Sequence, residues 1–269
     1  MSPLSVVIIT YNEEHNIAGC IKSAKLVSDD IVVIDCGSDD QTVAVATSEG
    51  AKAFVIEWQG YGFSKNFGTT KTKFNWILSI DADERITEEL ATSIRKISFR
   101  ENTCIYKFKR KNHINGREIR FGTLGFEMVE RIYHREYSRW DLSAVHEKLV
   151  GTEQIKTAIP GSLLHFGLKS FADHKQKAIL YAKLSAEKYF LQGKSTYLFQ
   201  RIGSAVFNSM KSYVFLLGFI EGKRGFYGAR TIAYYSWLKY FYLLRLLKQS
   251  AQKTNHIAKP NLVLKAVSN

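Results

Sequence analysis

The sequence predicts an α/β fold, a mixed sheet flanked by helices and followed by a C-terminal helical extension. Short apolar strands alternate with helical stretches four times in the first hundred residues, as in nucleotide-binding sheets. From residue 169 onward the pattern is helical, with 17 Lys and Arg against 3 Asp and Glu, whereas residues 1–168 carry 21 against 22. We therefore divide the chain into a body at 1–168 and a basic, aromatic-rich region at 169–269.

The first hundred residues supply the alternating elements. Strands are predicted at 4–10, 30–35, 53–57 and 76–80, and helices at 17–24, 41–49 and 64–71. Residues 36–40 form the turn after the second strand. The sequence contains neither GxGxxG nor GxxxxGK[ST], so we expect neither a dinucleotide-type cradle nor a P-loop.

Two carboxylates follow the strand at 76–80, in the segment WILSIDADER. Asp81 and Asp83 flank Ala82 just past the carboxyl end of this strand, where open α/β sheets place their ligands. Carboxylates two residues apart on a turn can hold Mg²⁺ or Mn²⁺, which in turn binds phosphate oxygens. The alternative is that Asp83 or Glu84 caps a helix that begins near Thr87.

Four sequence blocks together resemble the family 2 glycosyltransferases, which have a GT-A fold. The blocks SVVIITYNEEHNI, IVVIDCGSDDQT, SKNFG and WILSIDADE follow that family's order and spacing, and the resemblance covers about the first hundred residues. It implies a nucleotide-sugar-binding half at 1–100 and an acceptor-side half at 101–168. The residues it assigns to the nucleotide sugar are Thr10, Tyr11, Asn12, Glu13, Asp35, Ser38, Asp40, Lys65, Asn66, Asp81, Ala82 and Asp83.

Within that set the resemblance implies separate roles. Asp35 would face the base, and Lys65 and Asn66 would approach the diphosphate sugar. A carboxylate accepts a hydrogen bond from a base N–H, and a lysine supplies a point charge to phosphate, so the chemistry agrees. Asn12 or Asp39 as a helix cap, and Lys65 as solvated surface, are the alternatives.

The middle of the chain is antiparallel in character. Residues 104–112 alternate apolar with basic side chains, and Asn115-Gly116 is a hairpin signal before a strand at 119–121. A further strand is predicted at 130–134. The block Val145-His146-Glu147 resembles the lipopolysaccharide-core glucosyltransferase-like branch of the family, in which an RLF-like strand precedes VHE.

An inverting transferase needs one carboxylate to take the proton of the acceptor hydroxyl. Glu147 is our candidate for this base, and His146 and Asp141 are its competitors. His165, in the apolar LLHFG, is the candidate for a third metal ligand, as a late histidine is in some GT-A enzymes; the alternative is a hydrogen-bonded core histidine.

In the basic region, helices are predicted from Ser170 onward, at 202–220 and at 229–248. The last of these is rich in Tyr and Trp and also contains Lys239, Arg245 and Lys248. Charged residues interrupt every apolar stretch, so none reaches the length of a membrane-spanning helix. Aromatic and basic residues together are typical of a helix in the headgroup region of an anionic leaflet. A helical dimer and a helical lid over the sheet are the alternatives.

These observations predict a metal-dependent inverting glycosyltransferase. It moves a sugar from a nucleotide donor, which we expect to be UDP-linked, to a hydroxyl of a lipid-linked or lipopolysaccharide-type glycan. The three cysteines lack metal spacing and the N-terminus lacks a secretion signal, so we expect a cytoplasmic protein peripheral to the membrane. A sugar-phosphate nucleotidyltransferase is the second class, but TYNEE is acidic where that class has a basic Gly-rich loop. A nucleic-acid binder is the third, and we see no recognised binding motif for it.

Overall fold

The computed structural model describes residues 3–125, 127–143, 147–168 and 171–257, so His146 and Val145 lie outside the described residues. The strands in that part of the chain are β1 (Leu4–Thr10), β2 (Asp30–Asp35), β3 (Lys52–Val55), β4 (Trp76–Asp81), β5 (Glu84–Ile86), β6 (Cys104–Ile114), β7 (Arg117–Glu118), β8 (Glu127–His134), β9 (Ser138–Trp140), β10 (Leu149–Gly151) and β11 (Ile155–Leu168). The helices are α1 (Ile17–Ala24), α2 (Thr42–Ser48), α3 (Tyr61–Thr70), α4 (Glu88–Arg95), α5 (Phe171–Leu191), α6 (Leu198–Met210) and α7 (Lys223–Ile257).

One mixed sheet organises the body, with strand order β3-β2-β1-β4-β8-β6-β11-β5 and β7 beside β6. β1 pairs in parallel with β2 and β4, and β8 runs antiparallel to both β4 and β6. β1, β2 and β4 are buried along nearly their whole length because apolar clusters cover both of their faces. The predicted α/β fold with a mixed sheet is therefore confirmed.

The predicted strand at 119–121 is wrong. Asn115 and Gly116 both have positive φ (50° and 71°), the geometry of a two-residue hairpin turn, so the turn prediction is confirmed. That turn pairs Ile114 with Arg117 and His113 with Glu118, and the strand ends there. The residues that follow form a loop that is hydrogen-bonded to the helical region.

The helix after β5 begins at Glu88, and Thr87 is its N-cap, accepting a hydrogen bond from the Leu90 N–H (3.2 Å). Asp83 and Glu84 therefore do not cap this helix. The sequence did not predict β5, which pairs antiparallel with β11 and leaves the side chain of Glu84 fully buried.

The helical region differs from its prediction in the middle. The helix expected at 202–220 ends at Met210 and is followed by a π-helical turn (Lys211–Phe215) and a 3-10 turn (Gly218–Glu221). Leu217, with a φ of 57°, reverses the chain between these turns. Both α5 and α6 pack on the long α7. Among the helices that the structure describes, none is long and apolar enough to cross a bilayer.

Candidate active site

The turn at 81–83 lies where β1, β4 and β11 meet. The Ala82 N–H donates to the carbonyl of Ile9 (3.1 Å), and the carbonyl of Asp83 accepts from the Phe166 N–H (2.8 Å). Ala82 is buried, so its methyl group anchors the turn in the core. The carboxylates of Asp81 and Asp83 line a cavity of about 560 Å³ at the carboxyl end of the parallel strands.

Cations surround both carboxylates. Arg131 Nη2 lies 3.1 Å from Asp81 Oδ2, and Lys65 Nζ lies 3.6 Å from Asp81 Oδ1. Burial by itself would raise the pKa of Asp81, but Lys65 and Arg131 outweigh it and hold the pKa well below its usual range. Burial also opposes ionisation of Asp83, and the neighbouring His165 reverses that effect and lowers the pKa. Both groups are therefore ionised at neutral pH.

One oxygen of each carboxylate lacks a hydrogen-bond donor. Asp81 Oδ1 and Asp83 Oδ1 are buried, and no donor within the described residues lies within hydrogen-bond distance of either; the ammonium group of Lys65 is 3.6 Å from Asp81 Oδ1. A buried anionic oxygen without a donor is costly unless a cation binds it. These two oxygens therefore fit a divalent metal ion.

His165 directs a ring nitrogen toward the same place. The amide nitrogen of Asn112 donates to the carbonyl of Leu124 (2.6 Å), so its Oδ1 faces His165 Nδ1 at 2.6 Å and accepts from it. The other ring nitrogen, Nε2, lies 3.4 Å from Asp83 Oδ2; it carries a proton in the charged ring and a lone pair in the neutral one. Two acceptors that face each other need a proton or a metal ion between them.

Gly167 leaves the room that such an ion needs. A Cβ at this position would lie 2.1 Å from Asp83 Oδ2 and 2.6 Å from His165 Nε2. Across the part of the chain that the structure describes, no three His, Cys, Asp or Glu side chains form a ready-made metal cluster. Further ligands would therefore have to come from a diphosphate and water, and His165 as a third protein ligand stays a prediction.

Glu84 is a buried carboxylate that binds two arginines and the backbone of Asp81, and the sequence analysis did not identify this role. Its Oε1 accepts from Arg131 Nη2 (2.8 Å) and Arg110 Nη1 (3.2 Å), and its Oε2 accepts from the Asp81 N–H (2.9 Å). Arg110 also forms a bidentate ion pair with Glu127. Glu84 thereby fixes the backbone of Asp81 and the guanidinium that contacts its carboxylate. In the sequence, only its position directly after the DAD turn pointed to a role in the site, because Arg110 and Arg131 lie 26 and 47 residues further along the chain.

Lys65 connects the carboxylate turn to the base candidate. Its side chain is 2% exposed, and its Nζ lies 2.6 Å from Glu147 Oε1 and 4.4 Å from the centre of the Trp140 ring. The alternative of a solvated surface lysine is therefore wrong. Lys65 and Glu147 both line a second cavity of about 490 Å³, which shares Asp81 with the first.

Asn66 joins α3 to β9. Its Nδ2 donates to the carbonyl of Trp140 (2.8 Å), and its Oδ1 accepts from the Trp140 N–H (3.0 Å). Both halves of the amide are therefore used within the protein, and the approach of Asn66 to a diphosphate stays a prediction.

Asp141 is engaged in its own loop. Its Oδ1 accepts from the N–H groups of Ser143 (3.2 Å) and Lys148 (3.3 Å), and it lines neither cavity. Of the base candidates that the structure describes, Glu147 alone lines a cavity.

The loops after β1 and β2 are joined by side-chain hydrogen bonds. The Asn12 N–H donates to Ser38 Oγ (2.8 Å), and the Glu14 N–H donates to Asp40 Oδ2 (3.2 Å). Asp35 accepts from the Ser38 N–H (2.8 Å) and is fully buried. Asn12, Ser38, Asp35 and Asp40 therefore shape the loops and lie outside the lining of both cavities.

Thr10, Tyr11 and Glu13 line the larger cavity, as does Asp81. Thr10 Oγ1 is buried without a hydrogen-bond partner among the described residues, and the ring of Tyr11 is 59% exposed. This end of the cavity therefore offers a free hydroxyl and an open aromatic face.

The helical region closes the other side of the larger cavity, through His174, Lys177, Tyr181, Thr231, Ile232 and Tyr235. Lys177 Nζ donates to the carbonyl of Gly167 (2.7 Å), which binds α5 to the strand beside the carboxylates. Burial, followed by the charge of Lys177, lowers the pKa of His174, so its ring is neutral. Sequence reasoning assigned none of these residues to the site.

The mixed sheet, with an acidic turn at the carboxyl end of its parallel strands, fits the predicted GT-A fold. The chain belongs to Glycosyl transferase family 2, whose sequence model matches residues 5–148. The predicted family and enzyme class are thus confirmed, and the nucleotidyltransferase alternative is set aside.

Relatives cover nearly the whole chain. The lipopolysaccharide core biosynthesis glycosyltransferase LpsC of Rhizobium meliloti is 29% identical over 244 residues, which span 88% of this chain and 90% of LpsC. An uncharacterized glycosyltransferase of Rickettsia felis is 29% identical over 269 residues, 96% of this chain and 93% of that protein. This chain is therefore similar to family members of comparable length.

Solved structures resemble the chain more loosely. The mannosyl-3-phosphoglycerate synthase of Rubrobacter xylanophilus has a TM-score of 0.47 at 17% identity and covers 72% of this chain and 76% of its own. The glucosyl-3-phosphoglycerate synthase of Mycobacterium tuberculosis, solved with Mn²⁺ and UDP-glucose, has a TM-score of 0.33 at 22% identity and covers 41% and 43%.

Proposed function

We propose that the protein is a metal-dependent inverting glycosyltransferase that moves a sugar from a UDP-linked donor to a hydroxyl of a lipid-linked or lipopolysaccharide-type glycan. The observation that carries this proposal is the pair of buried oxygens, Asp81 Oδ1 and Asp83 Oδ1, which lack a hydrogen-bond donor within the described residues and belong to two residues that line a cavity of about 560 Å³. The lipopolysaccharide core role of LpsC supports the acceptor class.

Asp81, Asp83 and His165 would hold Mn²⁺ or Mg²⁺, which neutralises the charge that develops on the leaving diphosphate. Arg131 and Glu84 keep the carboxylate of Asp81 in place for this task. Thr10 and Tyr11 would contact the nucleoside at the far end of the cavity.

Glu147 is the proposed base, since it lines the second cavity beside Asp81. The acceptor oxygen attacks the anomeric carbon as the bond from that carbon to the diphosphate oxygen breaks. The hydroxyl proton passes to a Glu147 oxygen, and the nucleoside diphosphate leaves from the opposite face, which inverts the configuration. Lys65 has to turn from Glu147 toward the diphosphate for this step, because its ammonium group now pairs with that base.

We place this enzyme in the cytoplasm, peripheral to the membrane, with the division between body and helical region near residue 168. The helical region is then both a wall of the donor cavity and the part that faces the membrane. Its contribution of Lys177, Tyr181 and Tyr235 to the cavity supports the first of these roles.

A thermal-shift panel with UDP-, GDP- and CMP-sugars, each with and without Mn²⁺, tests the donor and the metal. A ligand that binds only the folded protein raises its unfolding temperature by mass action. We expect the largest shift with a UDP-sugar plus Mn²⁺, and its loss in Asp83→Asn. Equal shifts with and without Mn²⁺ would contradict the metal, and a larger shift with a GDP- or CMP-sugar would contradict the donor.

A further inference from the structure

Helix α6 has an inner and an outer side of different character. On the inner side the Arg201 guanidinium lies 4.7 Å from the centre of the Trp237 ring, and Asn208 donates to Ser236 Oγ (2.9 Å). On the outer side five large apolar residues are 45–74% exposed: Phe199, Ile202, Val206, Phe207 and Met210. At about 100° per residue they span an arc of roughly 140°, and we call them the apolar face.

The exposed apolar surface continues past the end of α6. Phe215 in the π-helical turn and Phe219 in the 3-10 turn are 65% and 50% exposed. Of the 24 exposed large apolar side chains in the described part of the chain, thirteen lie within residues 197–227. Apolar side chains concentrated in this way mark an interaction surface, whereas single exposed ones need no explanation.

We propose that the apolar face inserts into the headgroup region of an anionic bilayer. Between residues 188 and 257 the sequence contains one acidic residue, Glu221, and its carboxylate accepts from the Arg120 N–H (2.8 Å). Lys211, Lys223 and Arg230 are exposed around the same surface. A second copy of the chain would bring these cations together without acidic partners, whereas an anionic leaflet supplies both negative headgroups and an apolar interior.

The apolar surface is physically connected to the larger cavity. The Gly122 N–H donates to the carbonyl of Leu216 (2.8 Å), and the Thr123 N–H donates to Ser212 Oγ (3.2 Å). The loop held in this way supplies Leu124 to the cavity lining. Insertion would therefore bring the cavity close to the leaflet. That a lipid-linked acceptor would then reach the cavity rests on the proposed function.

Helix α7, which the sequence favoured for this contact, uses Tyr235, Tyr240 and Lys239 inside the helical region. The ammonium group of Lys239 lies 4.6–5.9 Å from the ring centres of Tyr189, Tyr235 and Tyr240. The hydroxyls of Tyr235 and Ser185 are 2.9 Å apart. Lys239 is thus occupied between helices, and α6 presents the larger apolar surface.

Co-sedimentation of the full chain with vesicles tests this inference without any donor or acceptor. The vesicles contain phosphatidylcholine alone or with about 30% phosphatidylglycerol. We expect binding to the anionic vesicles, and a loss of roughly tenfold or more in the variant Phe199→Ser, Ile202→Ser, Phe207→Ser. The variant Lys211→Gln, Lys223→Gln, Arg230→Gln should reduce binding to anionic vesicles only.

The matched control is Val55→Ser, Val150→Ser, Ile155→Ser, which removes three exposed apolar side chains from the body and should bind as the wild type does. Circular dichroism checks that all variants are folded. Unchanged binding by the α6 variant, or no binding by the wild type, would overturn the inference. The inference would also be overturned if the wild type were a dimer that does not bind vesicles and the α6 variant were a monomer. Because no sugar transfer is measured, failure here is separate from failure of the proposed activity.

Discussion

The body buries a cluster of charged side chains, whereas the helical region exposes a cluster of apolar ones. In the body, Glu84, Lys65 and Arg131 are at most 5% exposed, and each is paired with a group of opposite charge. In the helical region thirteen large apolar side chains are exposed within residues 197–227, while Asn208 and Ser236 meet inside. Charges are thus hidden where the proposed donor binds, and apolar surface is displayed where the proposed membrane lies.

This difference has an energetic meaning. Burying a charge is costly unless a partner compensates it, so a buried charged cluster is kept where a ligand uses it. An exposed apolar surface has its own cost in water, so it is kept where a partner covers it. Four sets of substitutions test the two halves of this comparison.

The largest effect is expected in the body, from Asp81→Asn and Asp83→Asn made separately. Each removes a charge from the proposed metal site, so transfer should fall by at least ~10³-fold and metal-dependent donor binding should disappear. The fold should survive, because the amide keeps the size of the side chain, and Lys65 and Arg131 keep Glu147 and Glu84 as partners. Glu89→Gln, at an exposed position on α4, is the control. Normal turnover in either Asp variant would refute the assignment.

The second substitution is Glu84→Ala, which leaves Arg131 and Arg110 buried without this carboxylate. Removing one partner of a buried ion pair costs ~3–5 kcal/mol, so the free energy of unfolding should fall by that amount in urea titrations. Glu89→Ala should change it by less than ~0.5 kcal/mol. A loss as small as that of the control would mean that the cluster does not hold the body together.

These two predictions also separate what a sequence can reveal from what it cannot. The strand at 4–10, the helix at 17–24 and the strand at 30–35 were predicted with the bounds that the structure has, since periodicity and turn residues are local signals. The DAD turn was likewise visible because strand and carboxylates are adjacent. The role of Glu84 was hidden because it depends on partners that are distant in the chain.

The same limit explains what the sequence did not show. Asn66 lies in a family-like block, but its amide is used by Trp140, 74 residues further on. Gly167 was visible only as the end of LLHFG, and its role depends on the closeness of Asp83. The helix expected at 202–220 gives way to a π-helical turn after Met210, and the left-handed Leu217 follows that turn, although leucine is not a residue type that predicts a left-handed backbone.

The third test compares the effects of Glu147→Gln and Asp141→Asn on turnover. The first keeps the shape of the side chain but removes the proposed base, so turnover should fall by ~10²-fold with little change in donor affinity. Asp141→Asn should have a much smaller effect on turnover, because its carboxylate binds its own loop. Steady-state kinetics of both variants decide between them. The reverse pattern would move the base to Asp141.

The smallest effect is expected in the helical region, from Asn208→Ala. The bond from Asn208 Nδ2 to Ser236 Oγ joins α6 to α7, and a hydrogen bond of this kind contributes ~1 kcal/mol to stability. The free energy of unfolding should fall by about that much, while Gln249→Ala, exposed on α7, should leave it unchanged. A double-mutant cycle with Ser236→Ala isolates the pair, and we expect a coupling of at least ~0.5 kcal/mol. Vesicle binding should be unaffected, because this bond lies on the side of α6 opposite the apolar face. No coupling, or a loss of vesicle binding, would mean that the inner and outer sides of α6 are not the separate surfaces that the comparison requires.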